Sequence, residues 1–250
     1  METKRRQFQG VLNILSFNRH YYAFGFIALT ALFISRTLFE LSDIVFWVVI
    51  TAFLYGLIMP LIVSAYVYDF SGYYDFKWLD RIIKGNQSSK LIININAGFD
   101  ETSFIIKKWF PAADLKVFDF YNPSQHTEAA IKRARKVSLV YPNTEQISSD
   151  CIPLKENSVD IVFLLSAAHE IRTNEEKVLL LKECHRVCRP GGRVIMVEHL
   201  RDFANFVAFS VGFTHFFTRS TWRKAFQNAG FSSFTENKFT PFMSVFDCKY

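Results

Sequence analysis

No run of lysine and arginine interleaved with aromatic residues occurs in this chain, although its net charge is +6 and its pI about 9.1. The cationic balance therefore does not read as a nucleic-acid groove. It fits attraction to anionic lipid headgroups. Cysteine is sparse too. Cys151, Cys184, Cys188 and Cys248 have no disulfide-framework spacing and read as free thiols of a reducing cytosol. Cys184, His185 and Cys188 would share one helix face, but no second ligand cluster accompanies them. Core packing is the expectation there, and no metal site. Charge is missing altogether from Tyr21 to Ser35 and from Ile44 to Tyr68. No small-residue cleavage site ends the first of these runs, and a second follows it, so a cleaved signal peptide is not the expectation. Internal repeats and low-complexity tracts are lacking as well.

What is present in excess is hydrophobicity: half of the 250 residues, with a mean hydropathy of +0.11. Most of it lies near the N-terminus. Roughly 20 apolar residues span a bilayer as a helix. The run Ile44–Tyr68 is long enough, and the run from Tyr21 is lengthened to Phe39 if Arg36 snorkels. The alternative is a hydrophobic hairpin buried in the protein or in a dimer. Lys4, Arg5, Arg6 and Arg19 precede the hairpin, and Lys77, Arg81 and Lys84 follow it. The positive-inside tendency then puts both termini in the cytosol. "YVYDFSGYYDFKWLD", from Tyr66 to Asp80, reads as an interfacial aromatic belt, and "GNQSS", Gly85 to Ser89, as a linker. The expected organisation is a membrane-anchoring hairpin over 1–84 and a cytoplasmic domain over 85–250.

Beyond the linker the pattern alternates. Strands are expected at Lys90–Asn94, Leu115–Phe120, Glu145–Ser149, Val159–Leu165 and Arg193–Glu198. Helices fall between them at Glu101–Trp109, Ser124–Ser138 and Asn174–Cys188. A helix at Ser220–Ala229 and two strands near Phe231–Thr240 and Phe242–Lys249 close the chain. Such alternation implies an α/β fold, a doubly wound, mostly parallel seven-stranded sheet, with the terminal pair antiparallel. "LIININ" and "DIVFLL" are nearly continuous apolar runs, as strands covered on both faces require. Ligands of such sheets bind beyond the carboxyl ends of the strands. That directs attention to Asn94–Gly98, Asp119, Asp150, Ser166 and Glu198.

The first of these turns, "LIININAGFDETS", holds a single glycine, Gly98, which excludes the G-x-G-x-x-G dinucleotide fingerprint. From Leu91 onward the chain resembles the class I S-adenosylmethionine-dependent methyltransferases, particularly the small-molecule branch near the ubiquinone and menaquinone enzymes. Asn94-Ile95-Asn96-Ala97-Gly98-Phe99-Asp100 stands where that family has an acid and three glycines. "FDFYNPSQHTEAAIKRAR" is similar to its second strand, "SDCIPLKENSVDIV" to its adenine-flanking stretch, and "ECHRVCRPGGRVIMVEH" to its Pro-Gly-Gly turn and fifth strand. The resemblance implies that S-adenosylmethionine is held by Asn94, Asn96, Ala97 and Gly98 in the loop, by Asp119 with Phe120 beside it, by Asp150 and Cys151, and by Ser166. Asp119 would accept from the ribose diol. Asn96 substitutes best for glycine where the chain turns, and Asp100 suits a helix start.

His169, in "LLSAAHEIR" after the fourth strand, is a candidate general base, since imidazole titrates near the working pH. His199, in "EHLRD", is its rival and His215 a third candidate. Glu170 and Arg172 read as a surface ion pair. "FANFVAFSVGFTHFF", Phe203 to Phe217, carries six phenylalanines and reads as core helix, greasy lid or membrane contact. The expected activity is O-methylation of a lipophilic small molecule at a membrane, with C-methylation as a variant. The partners are then that substrate and membrane lipids, not nucleic acid. The competing expectation is a non-catalytic membrane protein that keeps the fold as a binding module.

Overall fold

A computed structural model describes residues 5–39, 42–83 and 90–250. The expected linker Gly85–Ser89 lies outside the described residues. Three helices come first: α1 (Gln9–Phe17), α2 (Arg19–Phe39) and α3 (Asp43–Ser64), the last continuing as a π-helical turn over Ala65–Phe70. The strands and helices that follow are β1 (Leu91–Asn96), α4 (Ser103–Trp109), β2 (Asp114–Asp119), α5 (Ala129–Arg135), β3 (Glu145–Gln146), β4 (Val159–Leu165), α6 (Asn174–Val187) and β5 (Cys188–His199). Then come α7 (Phe203–Phe209) with a 3-10 turn over Ser210–His215, α8 (Arg219–Asn228), β6 (Ser233–Lys238) and β7 (Met243–Lys249).

The seven strands lie in the order β3-β2-β1-β4-β5-β7-β6, all parallel except β7, which runs antiparallel to β5 and β6. Order reverses between β1 and β4, so the crevice above Asn96 and Leu165 is where a ligand belongs. β4 is buried throughout, as its apolar run requires. α6 starts at an N-cap: Thr173 Oγ1 accepts from the Glu176 N–H at 3.2 Å, ahead of an acidic first turn. β5 begins at Cys188, five residues ahead of expectation. Its Pro-Gly-Gly turn is absorbed as an irregularity in the pairing with β4 between Val159 and Ile161.

One sheet face packs against α5, α6 and α8. The other is closed largely by the segment after the hairpin. Tyr73, Phe76, Trp78 and Leu79 are buried against Ile161, Phe163, Ile195 and Val197. An interfacial aromatic belt is thus corrected for these four. α4, the end of α3 and its π-helical turn with Val63 and Val67, and Ala208 of α7 complete that cover, and burying apolar surface on the sheet is worth about 25 cal/mol per Å². Tyr66 and Phe70 do remain exposed.

α2 and α3 are long and apolar enough to cross a membrane. They pair as an antiparallel hairpin, close enough that a Cβ on Gly25 would stand 2.8 Å from Leu57. Phe24, Phe26 and Leu38 on α2, and Ile44, Trp47 and Val48 on α3, are each more than half exposed, so the hairpin is not buried within this chain. It emerges at the carboxyl end of the sheet. From there the chain descends one face, with Tyr73 beside Ser166 at the top and the Ile82 carbonyl on Arg193 at the bottom.

Candidate active site

The turn after β1 closes on itself. Gly98 adopts φ +79°, a conformation that disfavours any side chain, and its N–H donates to Asn96 Oδ1 at 2.7 Å. Asp100 Oδ1 accepts from the N–H groups of Thr102 and Ser103, both at 2.9 Å, which caps α4 as its residue type predicts. Burial pushes the Asp100 carboxyl upward against these hydrogen bonds. Asn94 Nδ2 donates to Ser103 Oγ at 2.8 Å. Three polar atoms of the turn are buried without a partner among the described residues: Asn94 Oδ1, Asn96 Nδ2 and Asp100 Oδ2. From the N-terminal side, Arg5, Asn13 and Tyr74 all reach Glu101, and Phe17 packs edge-on against Phe99. The turn is therefore held by the elements that flank the hairpin.

Asp119, at the end of β2, accepts from the Tyr121 N–H at 2.9 Å through Oδ1. Its Oδ2 accepts from Arg135 Nη1 at 2.6 Å, and the same nitrogen donates to the Ala97 carbonyl at 2.9 Å. The guanidinium also lies over the Tyr121 ring, 4.1 Å from its centre. A Cβ on Gly98 would meet Arg135 Nη1 at 1.4 Å, so the arginine rests on the bare face of the glycine. Arg135 is a site residue that the sequence reading missed. Its signal is the basic end of α5, "KRAR", one turn of fold away from an acid.

Beside Asp119 an open cleft of about 390 Å³ is lined by Phe120, Tyr121, Asn122, Gln146 and Ser148, among others. Asp150 and Cys151 are exposed and outside that lining, Asp150 accepting from the Ser148 hydroxyl. Ser166, at the end of β4, holds φ +52°, a strained value for serine, and its Oγ lies 3.0 Å from the Tyr73 hydroxyl.

The three histidines separate by environment. His169 Nδ1 lies 2.6 Å from Oε2 of Glu198, whose own backbone position on β5 is fully buried. The His169 N–H donates to the other oxygen of that carboxylate at 3.2 Å. Nε2 faces Glu170 Oε1 at 3.5 Å. Burial alone lowers the imidazole pKa, but the charge and hydrogen bond of Glu198, helped by Glu170 and Glu128, outweigh it and raise the pKa to about 9. Glu170 and Arg172 are not a surface pair. Glu170 is buried with Oε2 unpartnered, and Arg172 reaches Glu128 at 3.6 Å. The crossover from β4 folds Glu170 inward because Ala167 and Ile171 on either side are core residues.

His215 pairs with Glu128 at 3.0 Å, and its ring centre is 5.1 Å from that of His169. His169, Glu170 and His215 place their donor atoms within 4.8 Å of one another. Arg172 already stands beside them, donating to the His169 and His215 carbonyls, so the local negative charge is met by a protein cation. His199 is different. Its Nδ1 lies against two acceptors, Asn205 Oδ1 at 3.1 Å and the Phe242 carbonyl at 2.9 Å, and so carries the proton. Nε2 then accepts from the Tyr68 hydroxyl at 2.9 Å. Burial lowers its pKa to about 4. With both nitrogens engaged, His199 is a neutral structural link between β5, α7 and the hairpin.

Residues 113–196, from the start of β2 into β5, match the family model of a methyltransferase domain. Among solved structures, an S-adenosylmethionine-dependent methyltransferase from Aquifex aeolicus superposes with TM-score 0.51 at 15% identity, over 69% of this chain and 87% of that one. A putative O-methyltransferase from Nostoc punctiforme gives the same score and identity over 78% of this chain and 60% of that one. At such identity the likeness is one of fold. Among curated protein sequences none is significantly similar. Residues 113–196 thus resemble a methyltransferase domain, and the Rossmann-like, seven-stranded sheet around them has the fold of those solved S-adenosylmethionine-dependent enzymes. The expected α/β class holds.

Proposed function

We propose that the protein is a membrane-anchored S-adenosylmethionine-dependent methyltransferase that methylates a hydroxyl of a lipophilic small molecule, such as a phenol, a quinol or a lipid-like alcohol. The observation that carries this reading is His169 locked to buried Glu198 at the carboxyl ends of β4 and β5, where the apolar hairpin leaves the sheet. The hairpin over 1–84 anchors the protein, and the domain over 85–250 faces the cytosol.

The residues of the turn fit an adenosyl cofactor. Gly98 offers a bare face, Asn96 Nδ2 is a buried donor with no partner for a carboxylate, and Asp119 is a strand-end acceptor for a ribose diol. Arg135 covers this set and must swing aside; its side chain is 28% exposed, so the path into solvent is open. S-adenosylmethionine supplies a methyl group on a sulfonium whose charge vanishes on transfer. The protein's part is to align the acceptor and take its proton. His169 does so from its neutral form. Nδ1–H stays on Glu198, Nε2 accepts the hydroxyl proton, and the carboxylate stabilises the imidazolium. Glu170 Oε2 is a second acceptor at hand to orient the hydroxyl.

The test is calorimetric titration of the detergent-solubilised full chain with S-adenosylmethionine and S-adenosylhomocysteine. Wild type binds both, and Asp119→Ala loses about tenfold or more, since a hydrogen bond to a charged group contributes about 1.5–3 kcal/mol. Isotopically labelled cofactor incubated with lipid extracts then identifies the methylated product by mass spectrometry. One observation favours a second reading. Arg135 satisfies Asp119 from within the chain, as a fold retained for binding alone would do. Absence of cofactor binding by wild type and by Arg135→Ala alike would establish it.

A further inference from the structure

The segment from Phe203 to His215 leaves its apolar side uncovered. Phe203 is 79% exposed, Val211 80%, Phe206 47% and Val207 37%. Monomeric soluble proteins seldom leave such residues contiguous. Where this segment lies relative to the hairpin says what covers it.

The Tyr55 hydroxyl, on α3, donates to the Val207 carbonyl on α7 at 2.6 Å. That carbonyl is among the last four of α7, which lack intrahelical partners, and in lipid each such group needs one. The depth of Tyr55 follows from the hairpin register. Gly25 lies against Leu57. In an antiparallel pair, positions summing to 82 are level, so Tyr21, the first residue of the uncharged run, stands level with Leu61. Tyr55 is six residues beyond Leu61, about 9 Å along the helix axis at 1.5 Å per residue. Helical side chains lean toward the N-terminus, here toward Asp43, so the hydroxyl is no shallower than its own Cα. The charges that lead into α7 are partnered: Arg201 donates to the Phe216 and Thr214 carbonyls, and Asp202 pairs with Lys238.

We propose that α7 and the 3-10 turn after it form a third membrane element, immersed about 9 Å into the acyl region of the leaflet on the domain's side, with Phe203, Phe206, Val207 and Val211 against lipid. The proposal rests on the hairpin spanning the bilayer. It also specifies the acceptor's route. Buried Asn205 of this segment and Phe216 just after it contact His199, and His215 stands beside His169, so an acceptor dissolved in lipid reaches the base laterally beneath this element without crossing water.

The test is depth-resolved fluorescence quenching of the full chain reconstituted in phosphatidylcholine vesicles. In a Cys151→Ser background the remaining thiols are buried and unlabelled. Cysteines are introduced singly at Val211, at Val48 as the hairpin reference, and at Glu156 as the far reference. All three positions are exposed, and Glu156 precedes β4 at the opposite end of the sheet from Ser166. Each is labelled with an environment-sensitive fluorophore and quenched by lipid-borne nitroxides or by aqueous iodide. The proposal expects lipid quenching at 48 and 211, with 211 favouring the shallow nitroxide, and iodide quenching alone at 156. Lipid quenching at 48 with iodide quenching at 211 overturns the third element and leaves the anchor standing. Loss of lipid quenching at 48 overturns the membrane reading, and this inference with it.

Discussion

Glu198→Gln is the most informative single change at the site. It keeps the shape of the side chain and removes its charge. In the wild type His169 titrates near pH 9, upward from 6.5, because Glu198 lies 2.6 Å away with its carboxylate sealed from water. The displacement corresponds to about 3 kcal/mol of preference for the charged imidazole, at about 1.36 kcal/mol per pH unit. Burial is the largest single influence on this histidine and acts downward. Without the Glu198 charge it wins, and the variant titrates at or below the ordinary histidine value. ¹H–¹⁵N correlation spectra of imidazole-labelled protein in detergent micelles read this directly, with no acceptor needed. The His169 resonance is expected to move near pH 9 in wild type and by at least about 2 pH units lower in Glu198→Gln. Retention of the wild-type midpoint in the variant would refute the claim that this carboxylate controls the base. Once an acceptor is in hand, the acid limb of kcat/KM should move with the same midpoint, and the plateau should fall, since Gln cannot stabilise the imidazolium.

The same groups give pH-dependent stability of opposite sign. His169 is raised, so its contribution of about 3 kcal/mol is complete below pH 6.5 and is lost as pH rises through about 9. His199 is lowered to about 4, so its contribution is complete above pH 6.5 and is lost as pH falls through about 4. Thermal unfolding in micelles should therefore show a maximum near neutrality, and His199→Phe should flatten the acid side only. Arg135→Ala frees Asp119 and Gly98; a partly exposed ion pair is worth about 1 kcal/mol or less, so S-adenosylmethionine affinity should rise up to about fivefold in calorimetry. Unchanged or weaker binding would mean that the guanidinium helps to hold the cofactor. Tyr73→Phe removes the hydroxyl beside Ser166 and should lower stability by about 1 kcal/mol in denaturant titration.

Local pattern made much of the sheet legible. Val159–Leu165 is strand from its first residue to its last, and α6 starts where Thr173 caps the Glu176 N–H. Boundaries shifted where tertiary contacts overrode local signals. α5 starts at Ala129, five residues late, because Asn122 spends its backbone and side chain on a turn with Ser124 and His126. The expected five-residue third strand keeps only Glu145–Gln146, since an edge strand pairs on one side. α1 was not anticipated, and the stretch after the hairpin was given to lipid although four of its side chains belong to the core. Tyrosine and tryptophan carry an apolar body and a polar tip, and composition alone cannot say which environment they meet.

For the site, the strand-end rule directs attention to Asn94–Gly98, Asp119, Asp150, Ser166 and Glu198 from sequence order alone, because parallel strands expose all their carboxyl ends together. It could not rank the histidines. His169 and His199 both end strands or their turns, and both are followed by charge. Only the three-dimensional structure sets one against a buried carboxylate and the other between two carbonyl-type acceptors, which makes one basic and the other inert. Nor could it show Arg135 lying on Gly98, or α7 reaching up beside α3. A side chain's protonation and its solvent depend on neighbours far along the chain, and those neighbours exist only once the sheet has formed.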